Sequence, residues 1–188
     1  MAIMRIPSGS YRHQLRAHLK RGGIIAYPTE SCFGLGCLPC HTVALKRLMR
    51  LKKRPHDKGL LIIGKNFEQL KPYTSFRQPE KLKSYWATQS ISFLLPTAPH
   101  RVSPLLRGKQ RQKIGVRIPF HAGAKQLCGV FNTALVSTSA NYHHQQTCTN
   151  IREIQHRFGK KVLLISGQIG KNRRPSVIMD WENGQILR

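Results

Sequence analysis

Ile24-Ile25-Ala26-Tyr27-Pro28-Thr29-Glu30-Ser31-Cys32-Phe33-Gly34-Leu35 sets a polar, hydroxyl-bearing loop between two short apolar pieces. Residues 24–27 read as a strand, Pro28 breaks the run, and residues 32–35 resume it. A loop pinned at strand ends is a place where ligands are held. Outward from it, residues 12–21 set Leu15 and Leu19 among basic positions, as a solvent-facing amphipathic helix does, and Gly22-Gly23 ends that helix. On the other side Thr42 is placed to cap a helix with Leu45, Leu48 and Met49 on one face, stopped by Pro55. Residues 60–63 read as a buried strand, 79–86 as a helix and 91–95 as a strand, and alternation at Ile114, Val116 and Ile118 marks another strand. A helix near 122–130, a strand at 134–137, a helix near 151–158 and a strand at 162–165 follow. Residues 177–180 and 185–187 flank Asn183-Gly184, a hairpin signal. The interleaving predicts an α/β fold with a mixed sheet, as one domain over residues 1–188.

Hydrophobic residues make up 40% of the 188, with 15 Gly and 11 Pro, which predicts a folded globular chain. Lys plus Arg total 32 against 7 Asp plus Glu, a net charge of +25, and that imbalance points to an anionic partner or substrate. The carboxylates are Glu30, Asp57, Glu68, Glu80, Glu153, Asp180 and Glu182, and no two stand one helical turn apart. This argues against a glycosidase pair or a carboxylate metal cage. The basic residues cluster at 12–21, 46–58, 107–117 and 160–174 instead of forming a tail, so folding can gather them onto one face. No apolar run approaches the roughly 20 residues of a membrane span, and residues 1–10 lack a signal-peptide core. The odd set Cys32, Cys37, Cys40, Cys128 and Cys148 suits a reducing compartment, so a cytoplasmic location without membrane contact is expected.

Several motifs compete for the chemistry. Cys37-Leu38-Pro39-Cys40-His41 matches a haem-attachment pattern, but the chain shows no export signal. Zinc on Cys37, Cys40, His144 and Cys148 is the stronger metal reading, and two ordinary loop cysteines are favoured over it. Gly59 to Asn66 imitates a phosphate loop, yet Leu60-Leu61-Ile62-Ile63 demands burial as a strand. Lys52-Lys53-Arg54-Pro55-His56-Asp57-Lys58 is either a solvated basic turn or a polyphosphate cradle, with Arg54 bidentate and Lys52 and Lys58 as point charges. Ser137-Thr138-Ser139-Ala140-Asn141 puts hydroxyls and an amide at a strand end, as a turn or as a ligand site. Arg117 alternates with Val116 and Ile118, so it points away from their face, into solvent or into a cleft.

Residues 27–36, 52–60, Val116-Arg117-Ile118-Pro119, Ser137-Thr138-Ser139-Ala140-Asn141 and Pro175-Ser176-Val177-Ile178-Met179-Asp180 resemble, in order, the motifs of the YrdC/TsaC family, the threonylcarbamoyl-AMP synthases. The similarity covers nearly the whole chain and matches the short, single-domain form. It implies a twisted mixed sheet with flanking helices around a basic concave cavity. It also implies conversion of L-threonine, bicarbonate and ATP, with Mg2+, to threonylcarbamoyl-AMP and pyrophosphate. Downstream threonylcarbamoyl-transferase proteins then modify adenosine at position 37 of tRNA. Motif matching assigns threonine contacts to Thr29, Arg117, Ser137 and Ser176. The nucleotide side falls to Lys52, Arg54, Lys58, Ser139, Asn141, Thr147 and Arg188, with Lys52 and Arg54 as the catalytic pair. Three departures stand out: Tyr142-His143-His144 replaces the usual Ser-Gly, Ala87-Thr88-Gln89 replaces Pro-Gly-Pro, and Val177 replaces a hydroxyl residue.

This chemistry needs no covalent intermediate, in keeping with the lack of an evident nucleophile. A cationic cavity that positions two mutually repelling anions supplies much of the catalysis, and magnesium is expected on phosphate oxygens and waters. The competing expectation is a non-catalytic RNA-binding protein using the same basic surface, which charge alone would favour. The ordered motifs favour the enzyme, with tRNA contact as an added possibility.

Overall fold

The computed structural model describes residues 9–55, 57–88, 90–98, 102–172 and 175–187. Helix α1 (Gly9–Lys20) turns its two leucines, Leu15 and Leu19, fully inward. It ends in a Schellman arrangement in which Gly22 N–H donates to Leu19 O and Gly23 N–H to His18 O. Gly22 takes a φ of 78°, and a Cβ there would meet the His41 ring at 2.7 Å, so glycine is required twice over. Strands β1 (Ile25–Pro28) and β2 (Phe33–Gly36) pair antiparallel across the polar loop of the opening stretch.

Helix α2 (Thr42–Lys52) is capped by His41, not Thr42: the His41 ring Nδ1 accepts from Ala44 N–H at 3.3 Å, doing what a hydroxyl was expected to do one residue later. The helix also stops before Pro55 rather than at it. Lys53 adopts a left-handed φ of 51°, and the pre-proline residue Arg54 is driven from helical geometry. Strand β3 (Leu61–Ile63) occupies the stretch that imitates a phosphate loop. The short α3 (Phe67–Leu70), capped by Asn66, has too little periodicity to be read from sequence. Then come α4 (Glu80–Thr88), β4 (Ile91–Pro96) and the single turn α5 (Pro104–Arg107). They are followed by β5 (Lys113–Arg117), α6 (Ala122–Phe131), β6 (Leu135–Ser139) and α7 (Ile151–Phe158). The last strands are β7 (Leu163–Leu164) and β8 (Val177–Asp180). After β8 the chain turns at Gly184 (φ 70°) and returns through a single bridge, Met179 to Ile186.

The eight strands form one mixed sheet in the order β7-β1-β2-β6-β3-β5-β4-β8. Neighbouring residues on its central strands go to opposite faces, as a two-residue period dictates. Ala26, Ile62 and Val136 join the core under α2, α4 and α7, whereas Ile25, Ile63 and Leu135 join the one under α1 and α6. This two-sided burial is why those strands read as continuous apolar runs. Among the described residues no helix is long and apolar enough to cross a membrane.

Phe93 of β4 is fully buried, with ring centroids of Tyr85, Trp86 and Trp181 at 5.6, 5.7 and 5.5 Å. Phe93→Ala is expected to cost about 3–5 kcal/mol, read as a shift of the urea-unfolding midpoint. A loss below about 1 kcal/mol would mean that this cluster does not hold α4 to the sheet.

Candidate active site

Residues far apart in sequence meet around a cavity of about 700 Å³. Strand β5 supplies one wall: Lys113, Gly115 and Arg117 alternate onto the cavity side while Ile114 and Val116 enter the core. The β1–β2 loop adds residues 29–32, the turn after α2 adds Arg54 and Lys58, and β6 adds residues 137–139. Thr147, Ser176 and Asp180 close the rim. The lining carries six cationic side chains, Arg54, Lys58, Arg107, Arg111, Lys113 and Arg117, against the two carboxylates Glu30 and Asp180.

Both carboxylates are engaged. Glu30 accepts from Arg117 Nη2 at 2.8 Å, and its other oxygen takes the N–H groups of Phe120 (2.8 Å) and His121 (3.2 Å). Burial works against its ionisation, but the Arg117 guanidinium and backbone N–H groups outweigh it and hold its carboxyl below the usual carboxylate range. Asp180 takes Lys113 Nζ on both oxygens, at 2.8 and 2.7 Å. Because the Glu30 pKa is lowered in the fold, its contribution to stability is present above the unfolded value of about 4.3 and is lost as pH falls through the folded one. Glu30→Gln is therefore expected to flatten stability against pH in the acid range, measured by urea unfolding between neutral and acid pH. An unchanged profile would remove Glu30 as a source of acid sensitivity.

Arg117 also donates from Nη1 to Ser90 Oγ at 3.3 Å, while its buried Nε has no acceptor among the described residues. Ser137 Oγ accepts from the Tyr27 hydroxyl at 2.7 Å, and burial raises the Tyr27 pKa so that it stays a donor. Thr29 spends its hydroxyl proton on Cys32 O at 2.7 Å, leaving only lone pairs to offer a ligand. Ser176 lies 3.4 Å from Ser92, hydroxyl to hydroxyl. The Thr29–Glu30 loop is backed by Gly170, whose N–H donates to Thr29 O at 2.8 Å and where a Cβ would strike Glu30 O at 2.6 Å.

Of the residues expected on the nucleotide side, Arg54, Lys58, Ser139 and Thr147 line the cavity. Lys52 and Asn141 do not, and Arg188 lies outside the described residues. Lys52 differs most from the expected open point charge. It is 3% exposed, and Nζ donates to Asn141 O (2.8 Å), Asn141 Oδ1 (2.9 Å) and Ser139 O. Burial, and then the Arg54 charge, push its pKa down to about 7. Ser139 Oγ donates to the same Asn141 Oδ1 at 2.7 Å, so Lys52 ties the end of β6 from behind. Arg54 bonds its own turn, donating to Lys58 O at 3.2 Å and Gly59 O at 2.6 Å.

Glu30, Arg107, Arg111 and Lys113 line the cavity, and Tyr27 supports Ser137, without the sequence reading having assigned them to it. A carboxylate inside an apolar stretch of an acid-poor chain was the one available signal for Glu30. Of the cysteines weighed as zinc ligands, Cys37 and Cys148 are buried in the core and Cys40 is exposed. No group of three or more His, Cys, Asp or Glu side chains gathers for a metal among the described residues.

The Sua5/YciO/YrdC family model, described as "Telomere recombination", matches residues 17–188. A threonylcarbamoyl-AMP synthase of Neisseria meningitidis serogroup A is 46% identical over 191 residues, covering all of both chains. The protein of the same name from Chromobacterium violaceum is 45% identical over 99% of this chain and 96% of its own. Among solved structures, E. coli YciO superposes with a TM-score of 0.81 at 24% identity, covering 97% of this chain and 90% of that one. P. abyssi Sua5 complexed with L-threonine gives a TM-score of 0.81 at 24% identity, over 96% of this chain and 54% of the longer Sua5 chain.

Proposed function

The chain belongs to the Sua5/YciO/YrdC family, and from that premise we propose that it is a threonylcarbamoyl-AMP synthase, a single catalytic domain making the activated donor for N6-threonylcarbamoyladenosine in tRNA. The observation that carries the reading is full-length identity of 46% to a relative of that name. Its physical support is that Thr29, Arg54, Arg117, Ser137 and Ser176, one from each of the separated motifs, line one cavity.

The reaction joins L-threonine, bicarbonate and ATP. Threonine's amine takes up bicarbonate with loss of water to give a carbamate, and a carbamate oxygen then attacks the α-phosphorus of ATP and expels pyrophosphate. Carbamate and triphosphate are both anionic, so the work left to the protein is to hold them together and to offset developing charge. In our reading Arg117 receives the threonine carboxylate on its guanidinium, with Glu30 fixing the guanidinium plane. Ser137, Ser176 and the Thr29 oxygen address the rest of the amino acid. Arg54, Lys58, Ser139 and Thr147 face the nucleotide, and Lys52 and Asn141 position the strand end that carries Ser139. Magnesium would enter as the counter-ion of ATP, on phosphate oxygens and waters, because the two cavity carboxylates are committed to Arg117 and Lys113. Transfer to tRNA is left to other proteins.

Threonine-dependent release of pyrophosphate from ATP, measured without RNA, tests this reading, and its absence would return the chain to the RNA-binding alternative. The amino-acid pocket gives a finer test. Valine leaves buried hydroxyl partners unpaired and is expected to be rejected by at least about 100-fold in kcat/KM, and serine by roughly 1–3 kcal/mol. Equal turnover with valine would overturn the hydroxyl assignments.

A further inference from the structure

Beside Lys58, which lines the cavity, stands His143 with His144 stacked on it, and the reaction described above uses neither. His143 and His144 stack with ring centroids 3.8 Å apart. His143 N–H donates to Lys52 O at 3.0 Å, which fixes its loop on the end of α2. His144 takes a left-handed φ of 64°. The His143 Nε2 lies 3.4 Å from Lys58 Nζ. An ammonium has only donors, so this contact requires the neutral imidazole, with its proton on Nδ1 and its Nε2 lone pair facing Lys58. The groups acting on His143 are His144 in its own loop and Lys58, Arg54 and Lys52 from the α2 end. Partial desolvation, followed by these charges, lowers its pKa.

We infer that His143 and Lys58 form a proton-linked polyphosphate contact: an anion entering between them converts Nε2 from acceptor to donor, and the imidazole takes up a solvent proton as the phosphate binds. The anion is either the outer phosphates of ATP or the pyrophosphate released from it. Two neighbouring cations repel, and a polyphosphate placed between them removes that repulsion and gains a charge-assisted hydrogen bond from each. Lys58, the cation in contact with this histidine, already lines the cavity. The stacked His144 covers one face of the ring. This inference rests on the nucleotide reading of the cavity.

Calorimetric titration at pH 6.5 with sodium pyrophosphate, with ATP in the absence of threonine, and with AMP, each in two cationic buffers of different ionisation heat, counts the protons taken up. The wild type is expected to take up more protons than His143→Gln on binding pyrophosphate. The variant should bind it about fivefold to tenfold more weakly at pH 6.5, with the gap closing at pH 8. Because the same ligand is used, its own titration cancels in the comparison. His144→Gly, whose backbone conformation suits glycine, should keep the proton uptake. A difference seen with ATP as well places the outer phosphates there, and one seen with pyrophosphate alone places the product there. Equal uptake and affinity in wild type and His143→Gln would overturn the contact, as would an equal effect with AMP. Loss of uptake in His144→Gly as complete as in His143→Gln would move the proton to the other ring. Failure of threonine-dependent pyrophosphate release in a protein that still shows this linkage would sink the synthase reading alone.

Discussion

Arg117→Ala is expected to raise the threonine concentration needed for half-maximal pyrophosphate release by about 30-fold or more while shifting the ATP requirement by less than about threefold. Arg117 is 7% exposed and paired to Glu30 at 2.8 Å, and its buried Nε has no acceptor among the described residues. The same substitution leaves Glu30 buried without its counter-charge, so stability should fall by about 3–5 kcal/mol. These two losses are separable. In the double variant Glu30→Gln, Arg117→Ala no buried charge is stranded, so most of the stability should return while the threonine requirement stays high. A double variant that regains a normal threonine requirement would show that Arg117 acts only on the fold, and a single variant with normal threonine dependence would remove it from the pocket.

Lys52→Ala carries the second large effect, from a residue that does not touch the cavity. Its Nζ is the donor shared by Ser139 O, Asn141 O and Asn141 Oδ1, so truncation strands these acceptors and frees the end of β6. The expected results are a stability loss of about 2–4 kcal/mol and a rise of about tenfold in the ATP requirement, with a smaller change for threonine. A merely structural lysine would lower the yield of active protein without separating the two requirements. Equal changes in both would therefore reduce Lys52 to a role in folding.

The sheet was legible where its strands are short apolar runs closed by Gly, Pro or polar residues: residues 24–27, 60–63 and 91–95 lie within one residue of β1, β3 and β4. Helix ends were less so, because the cap depends on which side chain reaches the free N–H groups, and at α2 an imidazole does so. The cavity's motif residues were readable through their resemblance to a family, and Arg117 also through its place in an alternating strand. What the sequence did not disclose is who pairs with whom. Glu30 and Arg117 are 87 positions apart, and Lys52 and Asn141 are 89, and no periodicity records such a contact. The burial of Lys52 was not legible either, since a basic helix end gives no sign of which of its lysines will face carbonyl oxygens instead of water. Arg107 reaches the cavity from a single helical turn, and Arg111 from the turn that follows it, and neither is long enough for sequence patterns to reveal.

The central claim is that bicarbonate carbon is joined to threonine and to the α-phosphate of ATP in one product. Incubating the protein with ATP, magnesium, L-threonine and carbon-labelled bicarbonate, then separating nucleotides without acid, tests it directly. The account predicts label in an adenylate that also contains threonine, formed in step with pyrophosphate and absent when threonine is omitted. Pyrophosphate release with no label in any adenylate, or label that appears without threonine, would contradict it.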